Sequence, residues 1–330
     1  MRRVLVVGTG SIGERHVRCF QATGRADVSI CEPLESRRVS VQEKYGLTHA
    51  FAGLDAVRPG QFDAAVICTP ASLHIAQACD LASRGLDLLI EKPLSTCLEQ
   101  IDRFQSIVTQ HQRKVAVAYV LRTHPAIVAM REAIVEGRFG PPVQAVVTSG
   151  QHFPTYRPAY REIYYRDRTT GGGAIQDALT HLLNAGEFLL GPIDRLVGDA
   201  AHQVLADVTV EDTAHVLARH GRVLASYAMN QYQAPNETVI TVVCERGTVR
   251  FEGHLARWSW MTEPGNAWQI ESAFEGDRDR LFVIQAEAFL DYLDGKRDPA
   301  CSLDDGLQTL RVNLAALQSV DHPGWIEVRG

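Results

Sequence analysis

The sequence predicts two domains, a doubly wound α/β domain with a parallel sheet and then an α+β domain with a large, mostly antiparallel open sheet. From residue 1 to about residue 122, short apolar runs alternate with helical patterns, which is typical of a parallel sheet covered by helices. From Ile193 onward, strands follow one another without intervening helices, as in an antiparallel sheet. Because 330 residues exceed what one hydrophobic core usually serves, we assign residues 1–122 and 123–330 to separate domains.

The elements follow from the periodicity of the apolar residues. In the first domain the predicted strands are 4–7, 28–31, 64–68, 86–90 and 115–120, and the predicted helices are 34–45, 72–84 and 96–110. In the second domain the predicted strands begin at 143 and continue with 213–219, 223–229, 237–244, 248–251 and 256–260. The predicted helices there are 127–136, 281–293 and 303–317.

Composition and charge argue against several classes of protein. The net charge of -6 disfavours nucleic acid as the partner, and no apolar run approaches the length of a membrane-spanning helix. Arg2 and Arg3 precede only four apolar residues, fewer than a signal peptide needs. The seven cysteines are scattered singly, which is typical of buried thiols in a reducing compartment and not of a zinc site. We therefore expect a soluble, cytoplasmic protein with no nucleic-acid, membrane or metal partner.

A glycine-rich turn, "VGTGSIG", follows the first strand. In the setting of a strand, a turn and a helix, Gly8 permits the tight turn, Gly10 lets a pyrophosphate approach the backbone, and Gly13 allows close helix packing. The helix that begins at Ser11 and Ile12 directs its N-terminus at the anion. The turn predicts a Rossmann dinucleotide-binding domain.

Glu32 follows the second predicted strand at the spacing of an acid that binds the adenine ribose. A carboxylate there repels a 2′-phosphate, so NAD is favoured as the cofactor. Arg37 and Arg38 lie a few residues later and still allow NADP, unless both belong only to the solvated face of the next helix.

Three further stretches occur in a characteristic order: "CTPASLH" at 68–74, "EKPLS" at 91–95 and "GGGAIQDALTH" at 171–181. Together with the glycine turn and His16, they resemble the glucose-fructose oxidoreductase, inositol dehydrogenase and MocA (Gfo/Idh/MocA) family of sugar and polyol dehydrogenases. The resemblance covers essentially the whole chain. It implies an NAD(P)-dependent oxidoreductase that moves hydride between nicotinamide and a hydroxyl-bearing carbon, or a ketone, of a sugar derivative.

Oxidation of a hydroxyl requires a base for its proton and a cation or donor for the developing oxyanion. Lys92 suits the second task because it follows a parallel strand at its carboxyl end, where ligands bind in such sheets, and we expect it to contact both cofactor and substrate. The resemblance implies that the Lys92–Pro93 bond is cis. It also implies that His181 is the base and that Asp177, four residues earlier on the same helix face, orients or assists it.

The resemblance also suggests the remaining contacts. Thr69, Pro70, His74 and Glu91 are expected on the nicotinamide and pyrophosphate side. Tyr119 and Arg122, at the end of the last strand of the cofactor domain, are expected to contact substrate, although Arg122 equally fits an interdomain salt bridge.

Family members often have an asparagine where this chain has Tyr119, which puts an amide-specific role in doubt. They also often have a further acid where this chain has Asn184 and Ala185. This departure leaves open whether a substrate contact is lost or becomes neutral.

A polar segment, 153–173, holds five tyrosine and phenylalanine rings and four arginines. Arginine forks match carboxylate and phosphate, and tyrosine rings stack on sugars or bases. We expect Tyr156, Arg157 and Arg161 to bind an anionic or nucleotide-linked sugar. The alternative is an arm that buttresses a subunit interface.

Two other functions fit the resemblance. One is a glycosidase that retains NAD and uses transient oxidation, which would leave no net NADH. The other is a non-catalytic sensor, disfavoured because a sensor has no need of Lys92, Asp177 and His181 together. Apolar residues on both faces of strand 223–229 predict a homodimer or homotetramer.

Overall fold

The structure is a computed structural model that describes residues 1–274 and 278–328. Strands and helices are numbered in chain order. The strands are β1 Arg2–Val7, β2 Ala26–Cys31, β3 Ala50–Phe51, β4 Ala64–Ile67, β5 Asp87–Ile90, β6 Val115–Val117, β7 Pro142–Gly150, β8 Arg195–Ala201, β9 Thr213–His220, β10 Val223–Asn230, β11 Glu237–Cys244, β12 Gly247–Glu252, β13 Arg257–Met261, β14 Gln269–Ala273 and β15 Ile326–Glu327. The α-helices are α1 Ser11–Ala22, α2 Glu35–Tyr45, α3 His74–Ser83, α4 Ile101–Gln110, α5 Pro125–Val135, α6 Phe153–Tyr156, α7 Thr180–Leu190, α8 Arg278–Leu293 and α9 Leu303–Asp321.

The first of two compact units contains a six-stranded parallel sheet. Its strand order is β3-β2-β1-β4-β5-β6. In the central strand β1, Val4, Leu5 and Val6 are completely buried, as expected where helices cover both faces of a sheet. The order reverses between β1 and β4, which creates the crevice at the carboxyl ends of the strands where such folds bind ligands. The predicted doubly wound Rossmann sheet is confirmed.

The first unit is built from two separate stretches of chain. Residues 278–306 group with residues 1–123, whereas the predicted boundary assigned everything after residue 122 to the second domain. The reason is that α8 packs against α1: the rings of Phe20 and Phe289 meet edge to face at 6.3 Å, and Arg15 pairs with Asp279 at 2.9 Å. Apolar burial between distant segments decides this grouping, and local patterns do not reveal it.

The second unit, residues 124–274 and 307–328, contains a nine-stranded sheet. Its order is β14-β13-β12-β11-β7-β10-β9-β8-β15. β7 and β10 run parallel, and the other neighbouring strands pair antiparallel, which confirms the mostly antiparallel sheet. On β10, Val223, Ala225 and Tyr227 are buried, whereas Leu224 is 53% exposed. One face therefore covers the core, with α7 packed against β10, and the other face is open.

The predicted elements differ from the structure mainly at their ends. The predicted strand 115–120 ends at Val117 because a 3-10 turn, Val120–Thr123, follows it. The predicted helix 96–110 begins only at Ile101. The two-residue strands β3 and β15 are too short to carry an alternating pattern, and β14 is exposed at all five positions, so periodicity does not predict them.

Neither a spanning helix nor a metal cluster occurs in the described part of the chain. Among the described residues, no helix has the length and apolar character needed to cross a membrane. The same residues contain no group of three His, Cys, Asp or Glu side chains that could hold a metal ion.

The polar segment 153–173 folds over a small core of its own. Phe153, Tyr160 and Tyr165 are buried and cluster with apolar residues of a second segment, namely Leu205, Val208 and Val210. Asp212, fully buried, closes that second segment by accepting the backbone N–H groups of residues 203, 204 and 205 at 2.7–3.0 Å. We call these two segments, 153–170 and 202–212, the satellite loops.

We expect Asp212→Asn to destabilise the protein by about 3 kcal/mol at pH 7, because the carboxylate accepts charge-assisted hydrogen bonds that an amide cannot fully replace. Burial raises the pKa of Asp212, but hydrogen bonds from Leu205, Val204, Thr213 and Gln203 hold it below its usual value. Since the folded pKa lies below the unfolded value of about 3.9, this stability is present above that pH and is lost as the pH falls through the folded pKa.

Urea denaturation at pH 7 and at about pH 3 measures the difference. The matched control is Asp207→Asn, which removes the same charge from a side chain that is 65% exposed and should change stability by less than about 0.5 kcal/mol. Equal effects of the two substitutions would contradict the prediction.

Candidate active site

The glycine turn after β1 has a conformation that depends on its glycines. Gly8 has a φ of +84°, in the left-handed region that favours glycine. A Cβ at Gly13 would lie 1.9 Å from the Gly8 carbonyl oxygen, so only glycine allows α1 to approach the turn this closely. A Cβ at Gly10 would meet nothing within 4 Å, and the turn therefore borders open space at this residue.

The N-terminus of α1 lies beside that space. Helix α1 begins at Ser11 and Ile12, and its N-cap, Gly10, supplies no side-chain hydrogen bond to the first turn. The N–H groups of an uncapped first turn and the helix dipole attract anions. These residues fit the pyrophosphate of a dinucleotide, as the sequence predicts.

Glu32 lies directly after β2, next to the glycine turn. Its carboxylate accepts hydrogen bonds from the Thr9 N–H at 2.9 Å, the Thr9 hydroxyl at 3.1 Å and the Leu34 N–H at 3.0 Å. Burial raises the pKa of Glu32, but these hydrogen bonds and the charge of Arg37 hold it below its usual value. The ionised carboxylate has the chemistry needed to accept hydrogen bonds from ribose hydroxyls.

The two arginines after Glu32 differ in their contacts. Arg38 donates to the backbone carbonyls of Glu32 at 2.8 Å and Pro33 at 3.2 Å, so it braces the end of β2. Arg37 is 47% exposed, with its Nη1 3.6 Å from the Glu32 Oε2. Of the two, Arg37 is therefore the candidate for contact with a 2′-phosphate.

The "CTPASLH" stretch follows β4 at the same sheet edge. Thr69 is half-buried and donates its hydroxyl to Gln77 at 2.7 Å, while Pro70 is exposed. The His74 ring is 1% exposed, and its nitrogens lie 3.0 Å from the Pro93 carbonyl oxygen and 2.8 Å from that of Thr69. Burial lowers the pKa of His74. The predicted cofactor contact of His74 stays a prediction, and in the structure the buried ring lies between the Thr69 and Pro93 carbonyl oxygens.

Lys92 is half-buried directly after β5, and the Lys92–Pro93 bond is cis, as the resemblance implies. The neighbouring Glu91 is buried, with its Oε1 2.7 Å from the Nε2 of His16 and its Oε2 accepting the Lys92 N–H at 3.0 Å. Burial raises the pKa of Glu91, but His16 and Lys92 hold it below its usual value. Glu91 was predicted to contact the cofactor. That role stays a prediction, and in the structure the carboxylate links His16 to the backbone of Lys92.

Tyr119 and Arg122 are held inside the first unit. Tyr119 is 1% exposed and Arg122 is 7% exposed. The Arg122 guanidinium lies 3.1 Å from the Asp305 carboxylate, in the C-terminal stretch that joins this unit. The substrate contacts of both residues stay predictions, and the ion pair gives Arg122 a structural contact. The pair joins the two predicted domains, 1–122 and 123–330, although both residues belong to the first compact unit of the structure.

Asp177 and His181 lie on one continuous helical segment of the second unit. Asp177 is in a π-helical turn, Ile175–Leu179, that leads directly into α7, where His181 is the second residue. Such π turns are frequent at functional sites. Asp177 is 8% exposed and accepts a hydrogen bond from the Tyr164 hydroxyl at 2.6 Å.

Asn184 and Ala185, which stand where family members often have an acid, lie on helix α7. Asn184 is completely buried and donates to the Thr309 hydroxyl at 2.9 Å. Ala185 is also completely buried. Both side chains pack in the interior of the second unit.

The predicted substrate arginines lie on the outer side of the satellite loops. Arg161 pairs with Asp207 at 2.7 Å, and both side chains are substantially exposed. Arg157 is half-buried and Tyr156 is 51% exposed. Arg168, in contrast, pairs with the buried Glu211 at 2.9 Å. Of the five rings in segment 153–173, Phe153, Tyr160 and Tyr165 form the small core. Tyr164 donates a hydrogen bond to Asp177.

Tyr164 and Glu211 are the residues that the sequence reasoning did not single out. Tyr164 precedes Asp177 by 13 positions, and Glu211 precedes no recognisable motif. No periodic pattern joins residues brought together by folding of two loops. The only signal was the unusual density of tyrosines in 153–173.

The two sets of residues define a class of protein. The first unit presents a glycine turn, an ionised acid and a lysine at one sheet edge, and the second unit presents an aspartate and a histidine four residues apart on one helical segment. A dinucleotide-dependent oxidoreductase requires residues of these kinds.

Family models place the chain within that class. Residues 2–119 match the model described as oxidoreductase family, NAD-binding Rossmann fold, and residues 127–250 match the GFO/IDH/MocA C-terminal domain. The chain belongs to the Gfo/Idh/MocA family.

Two named relatives and one solved structure match nearly the whole chain. The chain is 24% identical to the inositol 2-dehydrogenase of Rhizobium meliloti, over 96% of each chain. It is 27% identical to the UDP-N-acetylglucosamine 3-dehydrogenase of Acidithiobacillus ferrooxidans, over 96% of this chain and 95% of the relative. The solved WlbA dehydrogenase from Bordetella pertussis, in complex with NADH and UDP-GlcNAcA, has the same fold with a TM-score of 0.84, 24% identity and 99% coverage of both chains.

Substitutions at two glycines should separate folding from cofactor binding. Gly10→Ala adds a methyl group that meets no protein atom within 4 Å, so we expect an unchanged melting temperature and loss of dinucleotide binding by at least about tenfold. Gly13→Ala places its methyl group 1.9 Å from a carbonyl oxygen and should lower stability by about 2 kcal/mol or more.

Thermal melts and fluorescence titration with NADH distinguish the two effects. Gly10→Ala protein that binds NADH as tightly as the unsubstituted chain would contradict the assignment of the turn.

Proposed function

We propose that this protein is an NAD(P)-dependent dehydrogenase of a sugar derivative. The observation that carries the proposal is the lysine at the end of β5, held by the buried His16–Glu91 pair at the sheet edge that also carries the glycine turn. A purely structural strand end has no need of a buried carboxylate behind a lysine, because burial of charge is costly. The family membership supports the same class of reaction.

We propose NAD as the cofactor, with NADP as the alternative. The glycine turn and the N-terminus of α1 would hold the pyrophosphate, and ionised Glu32 would bind the adenine ribose hydroxyls. The nicotinamide, when bound, supplies the carbon that accepts or returns the hydride. Arg37 remains the group that would bind a 2′-phosphate if NADP is used.

The roles of the chain's own residues follow from the charge that the reaction moves. His181 acts as the base that takes the hydroxyl proton, since imidazole changes charge near neutral pH. The Asp177 carboxylate stabilises the positive charge that His181 then carries. Lys92, positioned through Glu91, donates to the oxygen as it acquires negative charge in reduction and as the hydroxyl loses its proton in oxidation.

We propose a sugar derivative that carries an anionic or nucleotide-linked group. Arg157 and Arg161 on the satellite loops support this, because guanidinium groups bind carboxylate and phosphate in a bidentate manner. The name of one full-length relative, UDP-N-acetylglucosamine 3-dehydrogenase, supports a nucleotide-linked substrate, whereas the inositol in the name of the other is an uncharged polyol.

We also propose that the protein is a homodimer or homotetramer that associates through the open face of the nine-stranded sheet. Three apolar side chains on adjacent strands are exposed there: Leu217 at 54%, Leu224 at 53% and Val146 at 38%. Val146 and Leu217 lie on either side of Ser226 in the strand register. A contiguous apolar surface of this kind is typical of an interface.

The proposed activity is tested by turnover. Purified protein is denatured, any released dinucleotide is identified by mass, and sugar acids and nucleotide sugars are screened for the absorbance of reduced nicotinamide. Lys92→Ala should bind the cofactor normally but lose turnover by about a hundredfold or more, because it loses the oxyanion donor.

The matched control is Lys296→Ala, which removes a lysine whose side chain is 61% exposed and pairs with Asp291 and Asp294. It should retain full activity. Full activity of Lys92→Ala would overturn the proposed mechanism.

The proposed assembly is tested by light scattering. The unsubstituted chain should give two or four times the mass of one chain, and Leu224→Glu should shift it toward the monomer because a charge cannot be buried without a partner. Val135→Glu, at a position that is 67% exposed and outside the sheet, is the control and should leave the mass unchanged. A monomer at every concentration would refute the interface.

A further inference from the structure

Tyr164 contacts the proposed catalytic helix from outside it. Its hydroxyl donates to the Asp177 Oδ1 at 2.6 Å, a length typical of a charge-assisted O–H···O⁻ bond. Asp177 is 8% exposed, so little water is available to stabilise its charge. The hydroxyl therefore replaces one of the hydrogen bonds that water would donate to an exposed carboxylate.

The backbone around Tyr164 is fixed by its neighbours. Tyr165 is completely buried in the small core of the satellite loops, and its carbonyl accepts the Gly173 N–H at 3.2 Å. The Thr170 hydroxyl donates to the Tyr164 carbonyl at 2.8 Å. A Cβ at Gly172 would lie 2.1 Å from the Tyr165 carbonyl oxygen, so the glycines before the helix allow this segment to lie directly against it.

The helix end is fixed from the other satellite loop. The buried Glu211 accepts the Ile175 N–H at 3.2 Å with its carboxylate and the Ala174 N–H at 2.8 Å with its backbone carbonyl. Arg168 pairs with the same carboxylate at 2.9 Å. The first turn of the helix is thus capped by a residue distant in sequence, and Asp177 is held at a set position relative to Tyr164.

We propose that Tyr164 is a positioning residue of the redox site, which holds the Asp177 carboxylate ionised and in one orientation for its work with His181. The inference rests on the proposed function, which gives Asp177 and His181 their roles. A hydroxyl donor favours the charged form of a carboxylate, and a phenylalanine of the same shape would fill the space without doing so. The satellite loops then act on the reaction through one hydroxyl group.

The surroundings of Asp177 make this hydroxyl important. The titratable groups near it are Tyr164 and Tyr165 on one satellite loop, Glu211 and Asp212 on the other, and His181 along the helix. Burial raises the pKa of Tyr165, and the charges of Asp177, Glu211 and Asp212 raise it further. Arg168 pairs with Glu211 and backbone N–H groups bind Asp212, while the Tyr164 hydroxyl donates to Asp177 and so favours its charged form.

The experiment compares Tyr164→Phe, Asp177→Asn and the double variant. With carbon-13-labelled aspartate, NMR follows the titration of the Asp177 side chain, which Asp177→Asn identifies by its absence. Tyr164→Phe should move the titration midpoint upward by about one pH unit. It should lower kcat about tenfold with little change in KM or NADH affinity, and should have no further effect in the Asp177→Asn background.

Tyr160→Phe is the matched control. It removes another tyrosine hydroxyl from the same loop, one that donates to the Ala206 carbonyl at 2.9 Å, and should leave both the Asp177 titration and kcat unchanged. An equal loss of kcat in Tyr160→Phe would show that loop integrity is the cause and would overturn the inference.

The NMR arm does not depend on activity. If no sugar is turned over, the proposed function fails, and an upward shift of the midpoint still supports the hold of Tyr164 on Asp177. An unchanged midpoint overturns the inference whatever the activity. A shifted midpoint with unchanged kcat also overturns it, because the contact would then be structural only.

Discussion

The close approach of α1 to the end of β1 is the constraint on which the first unit's site depends. It exists only because Gly13 has no Cβ, which would otherwise overlap the Gly8 carbonyl. One turn later on the same helix, His16 meets the buried carboxylate of Glu91, whose second oxygen holds the backbone of Lys92. A single packing contact therefore sets both the anion-binding end of the helix and the position of the lysine.

Buried carboxylates have the same task in both units, which is to position other groups. Glu91 holds the lysine, Glu211 caps the helix of Asp177 and His181, and Asp212 closes the satellite loop beside it. Each accepts N–H groups or pairs with a cation, because an unsatisfied buried charge would cost several kcal/mol. Such satisfied acids favour one arrangement of their neighbours, and a reaction that moves protons over short distances requires that precision.

Local motifs predict the strands and turns that carry the candidate site, whereas the contacts between distant segments cannot be predicted from them. The glycine turn and Glu32 follow a strand at fixed spacing, so backbone geometry alone places them. The contacts of His74 with the Pro93 carbonyl and of Arg122 with Asp305 join residues 19 and 183 positions apart, and no local pattern predicts them. Tyr160 and Tyr165 form a core under a second loop, which the sequence could not show, since burial of a loop ring depends on which loop covers it.

The sequence by itself determined the two kinds of sheet, the dinucleotide-binding turn and the family, because these are written in local periodicity and in motifs of fixed spacing. The tertiary structure alone decided that residues 278–306 complete the first unit. It also decided that the buried Glu91 accepts the Lys92 N–H and that the Tyr164 hydroxyl donates to Asp177. The physical reason is that these last features arise from contacts between segments far apart in the chain. Which distant segments meet is set by the packing of the whole fold, which no local pattern encodes.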